Sequence, residues 1–135
     1  MASILLLEDE DNLRAMLVEI LHAAGHQVVA DRDGRRVQEV LRLAPVDLVI
    51  TDVVMPNCDG IETILGLRKS HPRIPVIAIS GDVSRHAPLY LNIAEKLGAV
   101  RTLQKPFGVE VFLGMVREVW KAMMSKAVLN GKSHP

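Results

Sequence analysis

Asp47-Leu48-Val49-Ile50-Thr51-Asp52 is a short apolar run that ends on a carboxylate. Its length and continuity predict a strand buried on both faces. Working outward, Leu5-Leu6-Leu7 leads into Glu8-Asp9-Glu10, and Val100 to Leu103 leads into Lys105-Pro106. Acids and a lysine therefore stand at the ends of apolar runs. If these strands are parallel, the ends share one sheet edge. A site that holds a divalent cation and a phosphoryl group is built from such residues.

The rest of the chain alternates in the same way. Ile4 to Leu7 reads as the first strand. Leu13, Met16, Leu17, Ile20 and Leu21 follow at helical spacing as one apolar stripe, with Asp11 or Asn12 as cap and Gly25 as stop. Gln27 to Ala30 is a weaker strand. Asp33-Gly34 turns into a helix with Val37, Val40 and Leu41, stopped by Pro45. Val46 to Thr51 is the third strand. Asp59 and Glu62 resemble a capping box for a helix with Ile61, Ile64 and Leu65 inward, ended by His71-Pro72. Pro75 to Ile79 is the fourth strand, residues 89–97 a helix closed by Gly98, and Ala99 to Leu103 the fifth strand. Phe112, Met115, Val116, Val119 and Met123 form the stripe of a last helix. The expectation is a doubly wound α/β fold, (βα)5, with a parallel five-stranded sheet and helices on both faces. Ligands in such folds sit beyond the strands' C-terminal ends, where strand order reverses.

A chain of 135 residues fits one domain, and 49% apolar residues supply a core. Sixteen basic residues balance sixteen acidic ones, which gives no long-range attraction to nucleic acid or an anionic membrane. No apolar stretch is long enough for membrane insertion, and Met1-Ala2-Ser3 does not open a signal peptide. Cys58 is alone, so the expectation is a reducing, cytoplasmic setting. His22, His26, His71, His86 and His134 have no metal-ligand spacing.

At the predicted edge, the first strand delivers Glu8 and Asp9, the third Asp52, the fourth Ser80 and the fifth Lys105. Crowded carboxylates call for a cation, and an all-oxygen set suits Mg²⁺. Lys105 can act as a point charge toward an anion, Ser80 as a hydroxyl donor, and a carboxylate beside the metal as nucleophile, giving an acyl phosphate. Each residue has a plainer reading alone: Glu8 to Asp11 as helix N-terminal acids, Ser80 as a turn residue, Lys105 as a solvated lysine. Their coincidence at matching strand ends favours the site.

The strings Leu7-Glu8-Asp9-Glu10-Asp11, Asp52-Val53-Val54-Met55-Pro56-Asn57-Cys58-Asp59-Gly60, Ser80 and Lys105-Pro106-Phe107 resemble the receiver domain of two-component response regulators, the CheY-like family. The resemblance covers roughly Ile4 to Met124. It implies the flavodoxin-like strand order 2-1-3-4-5 and a receiver domain over residues 1–124; residues 125–135 are expected as a C-terminal tail, frayed beyond the last helix turn. It implies Asp52 as phosphoacceptor and Mg²⁺ held by Glu8, Asp9, Asp52 and the backbone carbonyl of Val54. Ser80 and Lys105 would contact the phosphoryl group, with a cis bond at Lys105–Pro106. The partners implied are a histidine kinase or histidine phosphotransfer protein and a downstream protein target, with no nucleic acid. The face made by the fourth helix, fifth strand and last helix would carry the output, with Tyr90, Ile93, Val100, Arg101 and Trp120 as candidates.

Three departures stand out. Glu8 replaces the aspartate more usual in the family. Thr102 occupies the switch position where many receivers carry an aromatic, so switching is expected from Ser80 and the loop 81–88. The spacing from Ser80 to Lys105 is longer than is common in the family. Too few residues follow the last helix for a DNA-binding module, so a stand-alone domain is expected. Two rivals are a phosphorylation-independent interaction module of the same fold and a haloacid dehalogenase-like phosphohydrolase with Asp9 as nucleophile and Asp11 as acid.

Overall fold

The computed structural model describes residues 1–53, 60–81 and 87–129. Strands β1 (Ser3–Leu7), β2 (Gln27–Asp31), β3 (Leu48–Asp52), β4 (Val76–Ser80) and β5 (Arg101–Gln104) alternate with helices α1 (Asp11–Ala23), α2 (Val37–Leu43), α3 (Gly60–Ser70), α4 (Ala87–Lys96) and α5 (Val109–Leu129). A single 3₁₀ turn, Gly34–Arg36, precedes α2. The strands form one sheet in the order β2-β1-β3-β4-β5. Every pairing is parallel. This is the expected doubly wound fold, and strand order reverses at β1.

Strand periodicity divides the core in two. Ile4, Leu6, Leu48, Ile50, Ile77 and Ile79 face one side, where Leu17 and Leu21 of α1 and Phe112, Met115 and Val116 of α5 cover them. The alternate residues Leu5, Leu7, Val49, Val76 and Ala78 face the other side, against Val37 of α2, Ile64 and Leu67 of α3 and Leu91 and Ala94 of α4. Continuous apolar strands are therefore required, and β3 and β4 are buried along their whole length. Each Leu or Ile so buried contributes about 1.5–3 kcal/mol relative to exposure. Pro75 fits at the head of β4 because it needs only to accept: its carbonyl takes the Val49 N–H at 3.0 Å.

Several local expectations are corrected. Glu10, in extended geometry, caps α1, and its carboxylate accepts the N–H groups of Asn12 and Leu13 at 3.1 and 2.8 Å. Asp11 lies in the first turn instead, paired with Arg14 at 2.7 Å. Met16 and Leu65 are exposed, because each sits about 100° round its helix from a buried neighbour, Leu17 or Ile64. β5 is half-exposed, since it closes the sheet on one edge. α5 runs to Leu129, past the boundary placed at residue 124. Gly25 and Gly98 stop α1 and α4 as expected, each at positive φ.

Candidate functional site

The register sets the site. Leu7 pairs with Thr51, Asp52 with Ile79, and Ser80 with Gln104. Glu8, Asp52, Ser80 and Lys105 therefore arrive at one edge, above the β1/β3 reversal point. Backbone bonds fix two of the exits: Glu8 N–H donates to Asp31 C=O at 3.0 Å, and Lys105 N–H to Ser80 C=O at 2.9 Å. The Lys105–Pro106 bond is cis, as the motif implied.

Lys105 draws the edge together. Its Nζ donates to Asp52 Oδ2 at 2.8 Å and stands 2.8 Å from Glu8 Oε1. The Glu8 and Asp52 side chains are 1% and 5% exposed, so water does little to screen the triad. Glu8 Oε2 accepts the Glu10 N–H at 3.0 Å. Its Oε1, though beside Nζ, receives no aligned hydrogen bond from the described residues. Carboxylate oxygens of Glu8, Asp9 and Asp52 lie within 4.8 Å of one another. Three carboxylates against one ammonium leave this edge formally at −2.

Burial is the main reason Glu8 resists ionisation, and its pKa is raised to about 7. The Asp52 charge adds to the rise, while Lys105 and the Glu10 N–H oppose it. For Lys105, burial works against the charged form, but the Asp52 hydrogen bond and the adjacent Glu8 carboxylate outweigh it and raise its pKa. Carboxylate crowding was the expected cause at Glu8; desolvation is the larger one.

Two glycines shape this edge. A Cβ on Gly60 would fall 2.1 Å from Asp52 O and 2.6 Å from Val53 Cα, so α3 can start beside β3 only with glycine there. Its N–H also closes on Val53 C=O at 2.9 Å. A Cβ on Gly81 would meet the Lys105 stem at 2.5–2.9 Å. The available signals were their positions, one beside Asp59 and one directly after Ser80.

The other predicted residues fall as follows. Ser80 is fully buried, and its Oγ has no hydrogen-bond partner among the described residues. Thr102 is half-buried on β5, opposite Ala78. Asp11 is exposed, and its Arg14 partner holds its carboxyl below the usual range. Val54, with Met55 to Asp59, and most of the loop 81–88 lie outside the described residues. On the expected output face, Ile93, Val100 and Arg101 are exposed, and Arg101 bonds Glu118 at 2.7 Å. Tyr90 and Trp120 are half-buried and pack on opposite cores.

Residues 4–117 match the family model for the response regulator receiver domain. The chain belongs to this family. It is 33% identical over 119 residues to the transcriptional regulatory protein CpxR of Escherichia coli K12, covering 88% of this chain and 49% of that one. It is 35% identical over 120 residues to the sensor kinase CckA of Brucella abortus, covering 87% of this chain and 12% of that protein. The crystal structure of NtrX from Brucella abortus superposes with a TM-score of 0.88 at 23% identity, over 96% of this chain and 29% of that chain, a likeness of fold. The chain thus spans half or less of the length of these relatives. Receiver domains are signalling switches of two-component systems, and this membership speaks against the phosphohydrolase rival. Among the described residues, no helix is long and apolar enough to cross a membrane.

The receiver's acidic edge fits a hard divalent cation. Among the described residues its donors are all oxygens, they converge within 4.8 Å, and Glu8 Oε1 lacks an aligned hydrogen-bond donor.

Proposed function

We propose that Asp52 accepts a phosphoryl group from the phosphohistidine of a histidine kinase or histidine phosphotransfer protein, with Mg²⁺ held by Glu8, Asp9 and Asp52. The observation that carries this reading is the Lys105 ammonium, 2.8 Å from both Asp52 and Glu8 within the acid cluster. An Asp52 oxygen attacks phosphorus, the phosphorus–nitrogen bond breaks, and its electron pair leaves with the imidazole. Asp52 becomes an acyl phosphate, which water later hydrolyses to phosphate and the free carboxylate. Glu8, Asp9 and Asp52 would hold Mg²⁺, which when bound would supply charge neutralisation for the transfer. Lys105 turns from Glu8 toward the phosphoryl oxygens, and Ser80 Oγ, buried and without a partner among the described residues, supplies a hydroxyl donor. The phosphorylated edge alters binding to a downstream protein in the cytoplasm; Ser80 is the contact that differs between the two states.

Incubation with phosphoramidate and Mg²⁺, followed by intact-mass and peptide analysis, tests the assignment. One phosphoryl group is expected on Asp52 and none on Asp52→Asn. An unlabelled wild type would favour the phosphorylation-independent module. Label on Asp9 would revive the phosphohydrolase alternative.

A further inference from the structure

We propose that a second site, at the opposite edge of the sheet, binds a small organic anion with an apolar body. A cavity of about 740 Å³ lies between the α3–β4 turn, the start of β5 and the C-terminal half of α5. That volume falls within the range of small-molecule sites. Pro75 and Val100, at the entries to β4 and β5, line it, whereas Ser80 and Lys105 stand at the exits. The five residues of β4, at roughly 3.3 Å each, put about 15 Å between the two sites.

The lining has two chemical parts. Val100, half-exposed, with Val119, Ala122 and Met123 makes an apolar wall. Arg68, Arg73, Arg101 and Lys126 surround it, with Glu118 as the sole acid of the lining among the described residues. The whole chain is electrically balanced, so this excess of cations is local. Glu118 is committed to Arg101 at 2.7 Å. Among the described residues, Arg73, Lys126 and Arg68 have no carboxylate at ion-pair distance.

Arg68 is the more telling cation. Its terminal nitrogens donate to the carbonyls of Pro72 and Ile74, which fixes the α3–β4 turn. Its Nε is buried, with no acceptor among the described residues. The bonded guanidinium keeps its charge at this wall, and together with Arg73 and Lys126 it attracts an anionic head group. Guanidinium forks suit carboxylate, phosphate or sulfonate oxygens. Among the described residues the lining carries no aromatic side chain, which disfavours a stacked base as ligand. The concave shape suits a compact molecule whose apolar part rests on Val100 and Met123.

The probe is 8-anilinonaphthalene-1-sulfonate, an apolar body with one anionic head, titrated into the native chain by fluorescence and by amide NMR. Saturable binding is expected, with amide shifts at residues 72–76, 100–101 and 118–126. The double variant Arg73→Glu/Lys126→Glu should bind about tenfold more weakly through lost charge contacts. Arg42→Glu, a reversal at an exposed position on α2, should leave affinity unchanged, and thermal melts of all variants check that the fold is retained. Shifts at any other surface, or equal weakening by Arg42→Glu, would overturn the assignment. So would an unchanged affinity in the double variant, or fluorescence that never saturates.

Discussion

A Cβ on Gly60 would stand 2.1 Å from the carbonyl oxygen of Asp52. The first turn of α3 thus lies directly against the backbone of the proposed phosphoacceptor. Gly60→Ala must move either the helix or the strand end, because both colliding atoms are backbone. Such overpacking costs about 1–3 kcal/mol. Urea unfolding should show that loss as a lower midpoint at unchanged slope. Phosphoryl uptake should fall too, since Asp52 shifts with its backbone. A variant as stable as wild type would refute the close approach.

Gly81 bears on the same chemistry through a side chain. Its missing Cβ leaves room for the Lys105 stem, which would otherwise be met at 2.5, 2.6 and 2.9 Å. Gly81→Ala should therefore tilt the ammonium away from Asp52 while leaving the carboxylates in place. Phosphorylation by phosphoramidate should slow roughly three- to tenfold, a misplacement effect. Mg²⁺ affinity, measured by calorimetry, should barely change. Loss of metal binding instead would mean that the residue acts on the acids rather than on the lysine.

What could be read from sequence follows from what each residue needs locally. Apolar runs ending in Glu8, Asp52, Ser80 and Lys105 placed those residues at one edge, because parallel crossovers leave no other geometry. Cap choice was not legible: Glu10, Asp11 and Asn12 all present side-chain acceptors, and only backbone geometry selects Glu10. The tolerance of Met16 and Leu65 for solvent depends on helix rotation against the sheet, which periodicity fixes only to within a residue. The roles of Gly60 and Gly81 depend on backbone or side-chain atoms brought close by the fold, and a single sequence carries no trace of such distances.

Lys105 acts as the internal counter-cation of the acid cluster, 2.8 Å from two carboxylates. Replacing it by methionine raises the formal charge of the edge from −2 to −3. Lys105→Met should therefore bind Mg²⁺ more tightly, by roughly three- to tenfold, as an ammonium no longer competes for the same oxygens. Phosphoryl uptake should nevertheless collapse, because the charge facing the phosphoryl oxygens is gone. Calorimetry and mass analysis on one preparation read both effects. Parallel losses in metal affinity and phosphorylation would show that Lys105 chiefly supports the fold.

Glu8 should give the metal-free protein a pH-dependent stability of unusual sign. Burial first, and the Asp52 charge second, raise its pKa from 4.5 to about 7. Between those values the folded chain retains a proton that the unfolded chain has released. Stability from this group is complete below the unfolded value and is lost as pH rises through the folded one. Mg²⁺ binds the ionised carboxylate, so it stabilises the folded state most above that window and competes with the proton inside it. Thermal melts at about pH 5.5 and about pH 7.5, with and without Mg²⁺, separate the two effects. Relative to Glu8→Gln, wild type should lose stability toward the higher pH without metal and regain it there with metal. Glu8→Gln should flatten both responses, since its side chain carries no proton to release and only a weak metal donor. Identical pH slopes in wild type and Glu8→Gln would show that Glu8 ionises as freely folded as unfolded, and that neither its burial nor Asp52 governs the edge.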